Sequence, residues 1–317
     1  MEKTIVSSSP HLHSTATTRR IMLDVIIALV PASIAAVVIF GLRSLLLIAV
    51  SVTASVLAEF IFNLICKKKQ TVGDLSAVVT GLLLALNLRD DVTVWQVIVG
   101  AVFAIIVVKC LFGGIGCNFA NPAITARIFM LVAFSSSVAG GSVPAVGSTD
   151  LVASATPLEL IKNGELEELP AVLDMLLGLR GGAIGETCVI ALLIGFVYLV
   201  VRRVIHWQTP VIFVGTVFVL SFLFGGFNLT SSLYQVISGG LLLGAIFMAT
   251  DYSTTPVNSL GKMVFALGCG VMTFLIRFYG SYPEGVSFAI LFMNILAPYI
   301  EQLTMKKPFG GAKNVKN

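Results

Sequence analysis

The sequence predicts an all-α membrane protein with about ten transmembrane helices in two inverted five-helix repeats. Of its 317 residues, 57% are hydrophobic and only 11% are charged, whereas a soluble domain carries about 25% charged residues. Ten apolar segments follow one another along the chain. One long polar stretch divides them into five and five, and two related halves with an odd number of spans run in opposite directions across the membrane.

Several of the apolar segments are shorter than the roughly 20 residues that cross a bilayer as a helix. We therefore expect some helices to be broken, because irregular backbone at membrane depth is tolerated where protein or a cavity surrounds it. The segments lie at about 22–40, 45–65, 76–88, 94–112, 123–134, 186–201, 211–224, 233–250, 262–276 and 286–304. The expected breaks lie at Gly81, Gly113, Gly114, Gly116, Gly239 and Gly240.

The polar stretch 135–185 is predicted to be an exposed loop with two short helices, 157–164 and 170–179. A connection this long inside a compact protein is usually functional. The predicted domains are an N-terminal tail (1–21), the first repeat (22–134), this loop (135–185), the second repeat (186–304) and a C-terminal tail (305–317).

Basic residues predict the orientation in the membrane. They cluster at 19–20, 67–69, 202–203 and in the C-terminal tail. Because cytoplasmic loops are enriched in Lys and Arg, both termini are expected in the cytoplasm and the loop 135–185 outside it. The net charge of +4 is small, so the predicted environment is a lipid bilayer and no nucleic acid is expected as a partner.

Glu59 is the one carboxylate well inside a predicted span. An ionisable residue in the membrane points to a function, so Glu59 is a candidate for an ion path. The alternative is a helix-interface carboxylate compensated by the lysines at 67–69. Asp24, Asp74 and Glu186 lie at span ends, where helix caps are more common than ion sites. No residue is predicted to be catalytic.

The five cysteines form no CxxC pair and no zinc spacing, so no metal site is predicted. Most of them lie in or beside apolar segments, where cysteine packs as a small apolar side chain.

Thr156 begins a stretch with the pattern of a helix N-terminus. In Thr156-Pro-Leu-Glu159 the threonine caps the helix, the proline takes its first position and the glutamate closes a capping box. This spacing alone does not make Thr156 a cofactor site.

The longer stretch Asp150-Leu-Val-Ala-Ser-Ala-Thr156 resembles the motif at which a flavin transferase attaches FMN to a threonine through its phosphate. Four other stretches resemble the same family, the D subunits of Rnf ferredoxin:NAD⁺ oxidoreductase complexes and the related B subunits of the sodium-pumping NADH:quinone oxidoreductase. They are Ser9-Pro-His-Leu-His13, Gly73-Asp-Leu-Ser-Ala-Val-Val-Thr-Gly-Leu-Leu-Leu84, Gly113-Gly-Ile-Gly-Cys-Asn-Phe-Ala-Asn-Pro122 and Ala249-Thr-Asp-Tyr-Ser-Thr-Thr-Pro256. The resemblance extends from Ser9 to about Leu303.

The resemblance implies a covalent FMN on Thr156, with Asp150, Ser154 and Ala155 completing the attachment motif. Ser154 stands where many relatives have glycine, a mild departure. It also implies a second, non-covalent flavin, such as riboflavin, near the loop that carries Asn118 and Asn121. From the residues alone, these asparagines are equally consistent with a tight turn whose backbone they satisfy. The motif at 251–256 is likewise either a capped turn or part of that cavity.

The function implied by the resemblance is electron transfer coupled to movement of Na⁺ or H⁺ across a prokaryotic inner membrane. The chain is expected to be an incomplete enzyme on its own. Its expected partners are an FMN transferase and the other Rnf subunits, namely a second FMN subunit, iron–sulfur subunits and an NAD-binding subunit. Two alternatives are a channel or transporter for a small solute and a scaffold subunit without a cofactor.

Overall fold

A computed structural model describes residues 17–138, 140, 156–163, 169–280 and 284–305. Regular structure in these ranges is helical. In chain order the α-helices are α1 (Thr18–Phe40), α2 (Leu42–Ile65), α3 (Ser76–Leu86), α4 (Val94–Val102), α5 (Pro122–Ala133), α6 (Ser135–Val138), α7 (Pro157–Asn163), α8 (Val172–Leu177), α9 (Val189–Val201), α10 (Gln208–Phe224), α11 (Leu229–Ile237), α12 (Leu241–Leu243), α13 (Ser259–Tyr279) and α14 (Val286–Thr304). A 3₁₀ turn spans Val72–Asp74, and α4 and α12 continue as π-helices over Phe103–Cys110 and Gly244–Met248.

The chain is a multi-pass membrane protein. In the described ranges, four helices (α1, α2, α13 and α14) are long and apolar enough to cross a membrane, and α11 with α12 and its π-helical extension forms a bent fifth. Large apolar side chains face outward on these helices, including Val38 and Leu64, which are 64% and 63% exposed. Every predicted apolar segment contains a helix, but five of these helices are shorter. The arrangement as ten crossings in two inverted repeats stays a prediction.

Close approach at glycine holds the helices together. A Cβ on Gly81 would lie 2.8 Å from the carbonyl oxygen of Ser51, so α3 lies directly against α2. Across the two halves, a Cβ on Gly195 in α9 would collide with the carbonyl oxygen of Ala28 in α1. Small residues allow such contacts in membranes, where helices associate by packing rather than by the hydrophobic effect.

One of the predicted helix breaks is confirmed and another is wrong. The chain bends by 60° between α11 and α12, where Gly239 has a φ of 64° that favours glycine. In contrast, α3 continues through Gly81, whose carbonyl also accepts a 2.7 Å hydrogen bond from the Ser51 hydroxyl. The Gly113, Gly114 and Gly116 backbones have positive φ and form the loop after the first π-helix.

The end of the predicted outer loop is buried, contrary to the expected exposed segment. All residues from 180 to 187 are buried. The N–H groups of Ile184 and Gly185 donate to the carbonyls of Leu88 and Leu86 at 2.9 and 2.8 Å. These bonds attach the segment to the end of α3 in the first half, immediately before α9 begins the second. The composition suggested solvent because glycine is frequent in loops, but here glycine permits close packing.

Candidate functional site

Thr156 caps α7, as the sequence predicts. Its Oγ1 accepts the N–H of Glu159 at 3.3 Å, and its own N–H donates to Glu159 Oε2 at 2.8 Å. Thr156 is only 5% exposed. The other residues of the predicted attachment motif, Asp150, Ser154 and Ala155, lie outside the described residues.

Thr156 lies on the wall of a cavity of about 70 Å³, here named the threonine cavity. Its polar wall consists of Arg127, Thr156, Glu159, Glu284 and Ser287. The Arg127 guanidinium donates to Glu284, to the Ser287 hydroxyl at 3.1 Å and to Asn87 Oδ1 at 3.2 Å. A fixed cation therefore lies in the same cavity as the threonine hydroxyl.

A second cavity, of about 220 Å³, is here named the asparagine cavity. It is mainly apolar and lies between the beginnings of α1, α3 and α5, the end of α9 and the segment after the second π-helix. Its polar wall includes Ser76, Lys109, Asn118, Asn121, Asp251 and Ser253. The two asparagines that the sequence singles out, and the motif at 251–256, therefore meet at one site.

The two asparagines have different roles. Asn121 Oδ1 caps α5 by accepting the N–H groups of Ala123 and Ile124 at 3.0 and 3.4 Å, and its Nδ2 donates to the Met248 carbonyl at 3.4 Å. Asn121 therefore satisfies backbone groups, as the structural alternative predicts, and it also lines the cavity. The Oδ1 of Asn118 is buried and has no hydrogen-bond partner among the described residues. A buried acceptor without a donor is costly, so Asn118 is the better candidate for contact with a ligand.

Asp251 forms a turn at the edge of the asparagine cavity. Its Oδ2 accepts the hydroxyls of Ser253 and Thr254 at 3.0 and 3.1 Å, and the Thr255 hydroxyl donates to its carbonyl at 2.6 Å. Burial raises the pKa of Asp251, and the hydrogen bonds from Ser253 and Thr254 oppose that effect. The predicted capped turn is therefore present, and its carboxylate also faces the cavity.

Glu59 is paired with Lys109 rather than with the lysines at 67–69 that the sequence suggests. Lys109 Nζ donates to Glu59 Oε2 at 2.8 Å and to the Ser76 hydroxyl at 2.5 Å. The Thr71 hydroxyl donates to Glu59 Oε1 at 2.5 Å. Both charged side chains are 2% exposed. Glu59 therefore belongs to a closed, charge-balanced network. Lys109 also lines the asparagine cavity, so it connects this network with that cavity.

A second buried group of charges, the arginine cluster, was not predicted. It consists of Arg127, Arg180, Arg277, Glu186 and Glu284. The sequence signal for it is the position of Arg127 inside one apolar segment and of Arg277 directly after another, since charges there require partners.

Only one of the three predicted carboxylate caps is correct. Asp74 accepts the N–H and the hydroxyl of Ser76 at 2.9 and 2.6 Å. Asp24 instead accepts from Tyr198 of α9 and from Arg202, which directly follows that helix, at 2.9 and 3.2 Å. Glu186 accepts the N–H of Ala183 at 3.1 Å and does not cap α9.

Among the described residues, no group of three or more His, Cys, Asp or Glu side chains could hold a metal ion. The five cysteines are free thiols.

Together these features define a class of protein: a multi-pass helical membrane protein with buried networks of charged and polar side chains beside internal cavities. Within that class, the chain belongs to the NQR2, RnfD, RnfE family, whose sequence profile matches residues 5–310. The family resemblance predicted from the motifs is confirmed.

Three relatives are similar to this chain over nearly their whole length. The chain is 45% identical to the D subunit of the Na⁺-translocating ferredoxin:NAD⁺ oxidoreductase complex of Acetobacterium woodii, over 97% of this chain and 96% of the relative. It is 37% identical to the D subunit of the proton-translocating ferredoxin:NAD⁺ oxidoreductase complex of Clostridium ljungdahlii, over 96% of both chains. It is 33% identical to the D subunit of the ion-translocating oxidoreductase complex of Actinobacillus succinogenes, over 98% of this chain and 99% of the relative.

Proposed function

We propose that the chain is the membrane-embedded D subunit of an ion-translocating ferredoxin:NAD⁺ oxidoreductase and passes electrons between partner subunits. The observation that carries this proposal is the 45% identity along 97% of the chain to a relative of that name. The complex of one named relative translocates Na⁺ and that of another translocates protons. The proposed complex therefore moves either Na⁺ or H⁺. A second FMN subunit, iron–sulfur subunits and an NAD-binding subunit complete the proposed complex.

Thr156 is the proposed attachment point of FMN through a phosphoester. Thr156 lines the threonine cavity together with Arg127. A cavity of about 70 Å³ suits a phosphate group rather than a three-ring flavin, so the ring system would extend beyond it. Arg127 would hold the phosphate by charge-assisted hydrogen bonds, which are stronger than neutral ones. The two carboxylates of the cavity, Glu159 and Glu284, would weaken this attraction.

The modification would occur before α7 is fully packed. Thr156 is 5% exposed and its hydroxyl already accepts a hydrogen bond, so a folded chain hides the group that an FMN transferase must reach. Opening this seven-residue helix breaks the capping box with Glu159 and exposes the hydroxyl. We expect the transferase to act on the chain before or during packing of this segment.

The asparagine cavity is the proposed site of the second, non-covalent flavin. It has about three times the volume of the threonine cavity and a mainly apolar wall, as sites for planar organic groups usually do. Asn118 offers a buried acceptor without a donor, and a flavin ring carries an N–H that would satisfy it. When bound, flavins supply reversible electron transfer, while the protein positions the rings and tunes their potentials.

α5 links the two cavities. Asn121 precedes its first residue and Arg127 lies six positions later, which is about 9 Å along the helix axis at 1.5 Å per residue. In the proposed ten-span topology, with both termini cytoplasmic, the asparagine cavity opens toward the cytoplasm and Thr156 lies toward the outside. Electrons that pass between the two cavities would then cross about a third of the roughly 30 Å hydrocarbon core within this one chain.

An ion path through Glu59 requires the network around it to open. The carboxylate is already neutralised by Lys109 at 2.8 Å, so a Na⁺ ion cannot bind there without competing with that ammonium group. We propose that Glu59 takes part in ion movement only when Lys109 turns toward the asparagine cavity, whose wall it already forms.

Gel fluorescence tests the FMN proposal. The chain is co-expressed with an FMN transferase, separated under denaturing conditions and viewed under ultraviolet light. We expect a fluorescent band that disappears in Thr156→Ala and persists in the matched control Thr156→Ser, which keeps a hydroxyl. A band that survives Thr156→Ala would place the attachment elsewhere. A dark wild-type band would favour a cofactor-free scaffold or a solute channel.

A further inference from the structure

Glu186 is an unusually placed carboxyl. It lies in the buried segment that joins the two halves and is 2% exposed. Its Oε1 accepts the N–H of Ala183 at 3.1 Å. Its Oε2 is buried and has no hydrogen-bond partner within the described part of the chain. Buried polar atoms nearly always have a partner, so this oxygen calls for an explanation.

Two glycines leave room around this carboxyl. A Cβ on Gly182 would lie 2.9 Å from Glu186 Oε1, and a Cβ on Gly240 would lie 3.2 Å from Oε2. The position of this Cβ on Gly240 is also 3.4 Å from Arg127 Nη1 and 3.9 Å from Asn87 Oδ1. The free oxygen of Glu186 therefore faces a guanidinium and an amide oxygen across a gap that exists because residue 240 has no side chain.

Among the described residues, no arginine side chain donates a hydrogen bond to the Glu186 carboxylate. Arg180 donates to the backbone carbonyls of Glu186 and Thr187, and Arg277 donates to backbone carbonyls next to the helix break. Arg127 pairs with Glu284. Burial raises the pKa of Glu186 to about 7, Glu284 acts in the same direction, and Arg127 and Arg180 oppose it.

We propose that Glu186 is a proton-binding site that takes up one proton when an electron reaches the flavin proposed at Thr156 and releases it when that electron leaves. The inference rests on the proposed function for its redox partner. Arg127 provides the link, because it lines the threonine cavity and also faces the space in front of Glu186 Oε2. Added negative charge in the threonine cavity offsets the positive electrostatic potential that Arg127 produces at Glu186. The ionised form of the Glu186 carboxyl is then less stabilised.

The charges balance in this step. One electron arrives from the reduced-ferredoxin side of the complex through partner subunits, and one proton arrives from water, so the net charge of the region does not change. When the electron passes to the next acceptor, the carboxyl O–H bond breaks and the proton returns to water. Compensation of this kind matters because a buried charge is costly in a medium of low dielectric constant.

Two measurements test the proposal. The first is infrared spectroscopy of the full chain in nanodiscs as a function of pH, carried out on the Thr156→Ala variant so that no covalent flavin contributes. We expect a protonated-carboxyl carbonyl band with a midpoint near pH 7, absent in the same variant with Glu186→Gln. The second is the midpoint potential of the Thr156 flavin in the assembled complex from pH 5 to 9. We expect its slope against pH to be shallower in Glu186→Gln than in wild type.

The Glu186→Gln side chain keeps an oxygen that can accept the Ala183 N–H, so we expect it to fold. A second variant keeps the carboxyl: Gly240→Ala places a methyl group 3.2 Å from Oε2 and should shift the infrared midpoint upward by excluding water. An unchanged infrared titration in Glu186→Gln, or an equal potential slope in wild type and Glu186→Gln, would overturn the proposal. If no flavin is found on Thr156, the proposed function fails independently, and the infrared titration alone decides whether Glu186 binds a proton.

Discussion

Removing the charge of Glu59 should destabilise the protein strongly. Glu59 and Lys109 are each 2% exposed and 2.8 Å apart. In Glu59→Gln, the Lys109 ammonium would lose its anionic partner and keep only neutral acceptors, the Ser76 hydroxyl and the new amide oxygen. Breaking a buried pair from one side costs about 3–5 kcal/mol, because an uncompensated charge is left in the interior. We expect a loss of that size in the free energy of unfolding.

The same reasoning predicts rescue by a second change. Replacing both members of a buried pair by neutral or apolar side chains is often close to neutral, so Glu59→Gln with Lys109→Met should recover most of the loss. Because the two residues are in direct contact, the effects should be non-additive. Unfolding in mixed micelles with increasing dodecyl sulfate, followed by circular dichroism, measures the free energy for each variant.

An exposed pair serves as the matched control. Arg89 and Asp91 are 2.7 Å apart, but the Asp91 side chain is 54% exposed. Solvent screens such pairs, and they contribute about 0.2–1 kcal/mol, so Asp91→Asn should change stability little. The reasoning is refuted if Glu59→Gln costs no more than Asp91→Asn, or if the double variant is as unstable as the two single losses added together.

Two further predictions concern packing and the asparagine cavity. Gly81→Ala should destabilise the α2–α3 contact, because the new methyl group would lie 2.9 Å from Val52 Cα. The control Gly215→Ala meets nothing within 4 Å and should be neutral or slightly stabilising. Thermal unfolding in detergent compares the two variants, and equal losses of stability would contradict the packing argument. Asn121→Ala should cost about 1–2 kcal/mol through the lost α5 cap, while Asn118→Ala should leave stability unchanged and lower the content of extractable flavin in the purified complex. The opposite pattern would show that Asn118 is structural.

Local patterns in the sequence proved the most informative. The cap at Thr156 and the cap at Asn121 each depend on residues two or three positions apart, which a single sequence displays directly. The apolar segments also locate the longer helices among the described residues, because lipid-facing helices must be apolar along most of their length. Their exact ends were less predictable, since Ser, Thr and Gly can extend or stop an apolar helix.

Partners that lie far apart in the sequence could not be predicted. Lys109 is 50 residues from Glu59, and Glu284 is 157 residues from Arg127. The sequence indicates only that each charge in an apolar region needs a partner. Burial of the segment 180–187 was missed for a related reason: its glycines are equally compatible with a solvent-exposed loop and with close packing against another helix.

The π-helix that carries Lys109 makes the polar network sensitive to helical phase. In this helix the N–H of Leu111 bonds to the carbonyl of Ile106, five residues earlier, so it holds one more residue than an α-helical turn would. Conversion of this stretch to α-helical bonding would turn Lys109 about the helix axis relative to the residues before Phe103. The ammonium group would then no longer face Glu59. The alignment of this buried ion pair therefore depends on the wider helical turn, and a change that returned the stretch to α-helical bonding would break the pair without altering either charged residue.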